Sequence, residues 1–380
     1  MGFVTVSYLF PRYLPADVIG LFGLLVSYSI LFAQFSSLGV TGVTARLFPY
    51  FRNNQNNHHG FLFLSLLIMT FGFALFLVLY LFLSPILIES NIEKSKLFAE
   101  YVYLLVPLTL FTLLFVYFDT YNKVLYDAVY GTVLQEFVQR VLILGITVLF
   151  IFKFINLNQL VLTYAFAISV KAVIIFIHLF RKGEISFKPY LSFIDKNLRK
   201  EIINVGIYSI IGGFGSAVVF SIDKILVNQM IDLESTGIYT IAFSFGILVS
   251  IPSRSLLKIS STVIAEAWKK NDLEQIKSIY RKSCLNQFII GGLLFIGIWA
   301  NIDNIFNLIG NDYLEGKWVI FFIGIGFLID MLTGVNGYII VLSKFYRISV
   351  VFVSVLIVLV VVTNLIFIPL WGITGAAVAT

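Results

Sequence analysis

The stretch IGLFGLLVSYSIL, residues 19–31, returns in altered form as TGIYTIAFSFGIL, residues 236–248. At a constant offset of 217 residues, Gly20 pairs with Gly237, Phe22 with Tyr239, Ser27 with Ser244, Tyr28 with Phe245, Ile30 with Ile247 and Leu31 with Leu248. A fixed offset of this kind is the mark of a duplicated unit. Chance matching is the competing explanation, because Leu, Ile and Phe match cheaply. Both copies are apolar on every face and show no period-2 alternation, which predicts helices in a membrane and not strands of an outer-membrane barrel.

Working outward, apolar runs of spanning length lie at about 18–40, 61–84, 101–121, 137–155, 159–180, 202–227, 237–260, 284–302, 318–341 and 347–368. Each is near the ~20 residues that cross ~30 Å of hydrocarbon. The two copies of the repeat enter from the same side and stand six spans apart, so the halves read as parallel repeats. The expected fold is therefore all-α: a polytopic membrane protein of two six-helix lobes, 1–180 and 202–380, joined by a basic linker at 181–201. The same offset maps the helix at 202–227 onto positions ending at residue 10, and the helix at 159–180 onto a segment starting near 376. The expectation is that the first and twelfth helices are incomplete in this chain.

Composition agrees with this class. The 380 residues are 59% hydrophobic and 12% charged, and the mean hydropathy is +0.97, which excludes a large soluble domain. A single cysteine, Cys284, excludes an intramolecular disulfide and a cysteine metal site. Lys and Arg exceed Asp and Glu by 26 to 20. If the loop before residue 18 is outside, the inner connections hold nineteen basic residues and the outer ones six. That asymmetry is a positive-inside signal, so the charge reports topology and not nucleic-acid binding. Outer loops are short and lack histidine, which speaks against a membrane enzyme such as a glycan polymerase; no catalytic residue and no metal site are expected. His58 and His59 read as loop residues. The stretch from Ile264 to Ser283 mixes Ala265, Trp268, Ile276, Ile279 and Tyr280 with charges and reads as an amphipathic helix on the inner surface.

A charge at a helix centre costs ~2.5–3.5 kcal/mol on insertion scales, so each one asks for a partner, a wet cavity or a function. Asp330 and Lys171 lie near the middle of their spans, and Asp223 about one turn from the outer end of its own. Asp330 is read as a cation or proton site, against a structural ion pair or simple solvation in a cavity. Asn364, Asn336, Thr333 and Ser221 add oxygen donors of the kind hard cations prefer. At 1.5 Å per residue, Asp223 and Asn364 both lie ~6 Å inside the outer boundary and Asp330 ~18 Å inside it. One shared site would need a broken helix, which Gly324, Gly326, Gly334 and Gly337 make feasible. Arg254 and Lys258, one turn apart just after Pro252, point to one face at the inner half of their helix. They suit a phosphate group, with a plain positive-inside anchor as the alternative. Arg46 occupies the related inner end in the first half, and Lys171 either joins the basic set or snorkels.

Four segments together resemble a known family: PRYLPADVIGLFGLL (11–25), GVTGVTARLFP (39–49), DKILVNQMIDLESTGIYTIAFSF (223–245) and NLIFIPLWGITGAAVAT (364–380). In their order along the whole chain they resemble Wzx-type polysaccharide flippases, of the superfamily that also holds the MATE antiporters and the lipid II flippases. The resemblance implies a MATE-like fold of two pseudosymmetric lobes in the bacterial inner membrane. It implies an alternating-access carrier, not an enzyme, that turns an undecaprenyl-pyrophosphate-linked oligosaccharide outward, as an O-antigen, lipopolysaccharide, capsule or exopolysaccharide repeat unit. The implied partners are that lipid-linked glycan, membrane lipids, and a polysaccharide polymerase with other assembly proteins. No cofactor is implied beyond coupling to H+ or Na+. By the same resemblance, Asp223, Asp330 and Asn364 are the candidates for cation coupling, and Arg46, Arg254 and Lys258 for pyrophosphate. An antiporter of small cationic drugs, which needs an acidic cavity, is the alternative function.

Overall fold

The computed structural model describes residues 2–188, 194–343 and 346–380. Within the 181–201 linker, residues 189–193 fall outside the described set, as do Lys344 and the side chain of Arg347 from the inner basic residues. Every regular element among the described residues is helical. In chain order they are α1 (2–13), α2 (Ala16–Ser36), α3 (Val40–Phe51), α4 (Phe61–Asn91), α5 (Lys96–Val124), α6 (Ala128–Ile151) and α7 (Leu157–Arg181). There follow α8 (Lys196–Met230), α9 (Leu233–Lys270), α10 (Leu273–Ala300), α11 (Ile302–Ile309), α12 (Lys317–Leu332), α13 (Asn336–Val341) and α14 (Tyr346–Ala379). Among the described residues nine helices are long and apolar enough to cross a membrane. Hydrocarbon offers no partner for a free peptide group, so each chain crossing closes its own hydrogen bonds. The protein is an all-α, multi-pass membrane protein.

Polar side chains set several helix starts. Asn156 and Gln159 form a reciprocal capping box at α7, Gln159 N–H to Asn156 Oδ1 at 2.9 Å and Asn156 N–H to Gln159 Oε1 at 3.0 Å. Asp232 accepts from Ser235 N at 2.7 Å at the start of α9, and Asp272 from Gln275 N at 2.9 Å at the start of α10.

Two expectations need correction. The run at 318–341 is not one span: α12 stops at Leu332, Gly334 adopts φ +62°, and α13 begins at Asn336. A Cβ on Gly334 would lie 2.6 Å from Ser283 Oγ and 2.7 Å from Cys284 Sγ, so both the backbone angle and the contact with α10 call for glycine. The stretch from Ile264 to Ser283 is not an interfacial helix either. It is the end of α9, a left-handed turn at Asn271 (φ +54°) and the start of α10. With 38 residues, α9 runs about 57 Å and outreaches the hydrocarbon. The apolar residues Ile264, Ala267 and Ile276 are buried between helices, and Trp268 Nε1–H reaches Ile339 O at 3.2 Å.

The chain forms two compact units, Met1–Thr5 with Leu21–Ser221, and Val6–Gly20 with Ile222–Thr380. In the first, an aromatic cluster joins α3, α4 and α5: Phe48 meets Phe61 at 5.5 Å and Tyr121 at 5.3 Å, both edge-on. Asp127, in the turn between α5 and α6, takes Lys182 Nζ and stands 2.8 Å from His178 Nε2. The Lys182 ammonium, and after it the imidazole, hold the Asp127 carboxyl below the usual carboxylate range. A lowered folded-state value means this contribution is present above the unfolded value of ~3.9 and is lost as pH falls through the folded value. In acid unfolding scans the wild type should therefore lose thermal stability below about pH 4, while Asp127→Asn, already without the charge, should not show that drop.

In the second unit the repeat meets itself. A Cβ on Gly20 would lie 2.1 Å from Leu233 O, and one on Gly237 would lie 1.8 Å from Ala16 O. The offset that aligns the sequences also carries Ala16 onto Leu233, so these two approaches are one contact made twice. Helices come this close in membranes only where the facing residues are small.

Candidate functional site

Asp223 lies near the C-terminal end of α8 and is 2% exposed. Three donors converge on its carboxylate: Asn364 Nδ2 at 2.9 Å on Oδ1, and Tyr239 OH at 3.0 Å and Thr380 Oγ1 at 2.6 Å on Oδ2. The amide orientation of Asn364 is fixed by this network, because Nδ2 also donates to Val360 O at 2.9 Å. Flipping it would turn its oxygen against the carboxylate. Its Oδ1 is left buried, with no hydrogen-bond donor among the described residues.

The fold delivers these groups from three helices. α14 reverses at Trp371 and Gly372, the latter at φ +58°. The returning segment packs so closely that a Cβ on Gly375 would lie 1.9 Å from Phe367 O. This turn brings Thr380 back to the level of Asp223, while Asn364 reaches it from the outgoing arm. Lys224, the next residue along α8, makes no close ion pair with the carboxylate; its Nζ lies 5.5 Å from the centre of the Phe243 ring.

Chemically the cluster is a buried carboxyl group held by two hydroxyls and one amide N–H, with the amide's own oxygen uncommitted. Its oxygen atoms suit a hard monovalent cation or a proton, and it contains no thiolate or imidazole for a transition metal. Among the described residues no group of three or more His, Cys, Asp or Glu side chains is placed to hold a metal.

Other candidates lie elsewhere. Asp330, at the end of α12, is exposed, and its carboxylate makes no hydrogen bond to Asp223 or Asn364. Arg254 and Lys258 are both exposed on one face of α9 and form no ion pair among the described residues. Arg46 is exposed on α3. Lys171 is inside the first unit, 9% exposed, where Nζ donates to Gln139 Oε1 at 2.8 Å and lies 4.4 Å from the centre of the Phe115 ring. Tyr239 and Thr380 were not foreseen. For Tyr239 a signal existed: it is the repeat's counterpart of Phe22, and the added hydroxyl is the atom that binds Asp223.

No protein-family model matches the chain, and no curated protein matches it. Solved structures do. A lipid II flippase, MurJ, in an inward closed conformation aligns with a TM-score of 0.71 at 13% identity, over 100% of this chain and 81% of that one. An inward-facing multidrug resistance MATE family transporter of the MOP superfamily aligns with a TM-score of 0.66 at 13% identity, over 100% and 88%. A MOP superfamily transporter from Pyrococcus furiosus gives 0.57 at 13% identity, over 100% and 86%. The chain has the fold of these transporters.

Proposed function

We propose that the protein is a Wzx-type flippase of the bacterial inner membrane, a member of the MOP superfamily with two six-helix lobes. Its cargo is an undecaprenyl-pyrophosphate-linked oligosaccharide moved outward by alternating access. The observation that carries this reading is the exposed pair Arg254 and Lys258, one turn apart in the inner half of a spanning helix and without acidic partners among the described residues. Guanidinium and ammonium groups so paired would hold a pyrophosphate. Arg46 and Lys171 are the basic candidates of the first unit. The Asp223 cluster is the coupling site. A bound Na+ or proton would neutralise the buried carboxylate, with Asn364 Oδ1 as the spare ligand and Tyr239 and Thr380 holding the carboxylate in place.

The test is transport of a fluorescent undecaprenyl-pyrophosphate-linked glycan in proteoliposomes. The double variant Arg254→Gln, Lys258→Gln should lower it about tenfold or more, as expected for losing charge-assisted bonds worth ~1.5–3 kcal/mol each. The second reading, an antiporter of cationic drugs, draws on the exposed carboxylate of Asp330. Unchanged glycan transport in the double variant, together with dye efflux that depends on Asp330, would select that reading instead.

A further inference from the structure

Residues 57–60 carry an unexplained strain. Asn57, His58, His59 and Gly60 all have positive φ, between 48° and 68°, and only the last is glycine. Left-handed backbone costs a non-glycine residue ~1–2 kcal/mol, so a run of three needs an offsetting contact. That contact is made by His58, which the turn drives inward until it is 3% exposed. Asn53 N–H donates to its Nδ1 at 3.1 Å, which leaves the proton on Nε2, and Nε2–H donates to Glu184 Oε2 at 2.9 Å. Tyr121 OH also donates to Glu184 O, at 3.4 Å.

The latch fixes the segment that follows α7. Three residues beyond Glu184, Phe187 and one face of α4 line an open groove of about 630 Å³ along Leu66, Leu67, Thr70, Phe71 and Ala74. The groove runs from Phe63 to Ala74, about 16 Å at 1.5 Å per residue, close to the ~15 Å of one hydrocarbon leaflet. Its one polar group, Thr70 Oγ1, is spent on Leu66 O at 2.8 Å. Arg181, the last residue of α7, and Lys188, next in the chain to Phe187, are both exposed and form no ion pair among the described residues, whereas Lys182 is held by Asp127.

We propose that this groove is a binding site for one anionic glycerophospholipid of the basic-side leaflet, with an acyl chain along α4 beside Phe187 and its phosphate at Arg181 and Lys188. The site stands apart from the transport reading, since it depends only on the membrane topology and on contacts within the first unit.

The full chain in dodecyl maltoside, examined by native mass spectrometry and thermal unfolding, tests it. Phosphatidylglycerol should bind at one per chain and raise the unfolding temperature, and phosphatidylcholine should not. Arg181→Gln with Lys188→Gln should weaken phosphatidylglycerol binding roughly tenfold or more, as two lost surface cations imply. Phe187→Ala, at a residue 58% exposed and so removable without disturbing the core, should shorten lipid retention while the protein stays folded. His58→Gln should do the same by loosening the segment. Equal binding of both lipids, or retention unchanged in Phe187→Ala and in the double variant, would overturn the proposal. Displacement of phosphatidylglycerol by equimolar undecaprenyl phosphate would overturn it too, and give the groove to a polyprenyl chain.

Discussion

Asp223→Asn should cut cation-dependent transport by up to about 100-fold, the range set by losing a coupling free energy of ~1–3 kcal/mol. The variant keeps the side chain's shape but removes the charge that a coupling cation would neutralise. It also sets an amide against three donors, from Asn364, Tyr239 and Thr380, that converge on the native carboxylate. One buried donor left unmatched costs ~1–3 kcal/mol, so a lower unfolding temperature should accompany the functional loss. A second variant keeps the carboxylate. Asn364→Leu removes the uncommitted oxygen together with the Nδ2 donor to Oδ1 and leaves Tyr239 and Thr380 on Oδ2. If Na+ is the coupling ion, NaCl should raise the wild type's unfolding temperature above that in choline chloride, and both variants should lose the difference. A proton as coupling ion replaces that salt effect with a pH effect on transport. Wild-type levels of transport in Asp223→Asn would end the coupling assignment.

Gly237→Val has the second largest expected effect. Its new Cβ would stand 1.8 Å from a backbone oxygen, Ala16 O, which no side-chain rotation can move. α2 and α9 must part by more than an ångström, at a cost of ~1–3 kcal/mol or more. Gly20→Val strikes Leu233 O in the same way. Both should lower the unfolding temperature, and the double variant should cost less than the sum of the two, because one separation relieves both clashes. Additive losses measured in detergent would mean that the two glycines do not share one contact.

Hydropathy located the spans well because burial in lipid is a property averaged over some twenty residues. It missed the break at Gly334 for the same reason: one left-handed residue, required by the contact with Ser283 and Cys284, leaves the average unchanged. It misplaced Ile264–Ser283 because residues buried between α9 and α10 have the same composition as residues resting on a membrane. Depth counting was more informative for the candidate site. Asp223 and Asn364, reckoned at one level, are hydrogen-bonded, and Asp330, reckoned two turns deeper, is not joined to them even though its span is broken. Thr380 was illegible because it arrives through the reversal at Trp371 and Gly372, and a chain reversal inside an apolar run has no signature in composition. Lys171 was visible as a charge, but its partners Gln139 and Phe115 come from other helices at spacings no local pattern encodes.

The approach of Gly20 to Leu233 O and of Gly237 to Ala16 O is isologous: each copy of the pattern presents the same patch to the other. A contact of that form needs two equivalent helices and no particular connection between them. The same geometry is that of a two-fold homodimer of one half. The covalent link between the halves then does something other than create this contact. It frees the two copies to differ, so that one can keep a phenyl ring at Phe22 while the other carries the Tyr239 hydroxyl that holds Asp223.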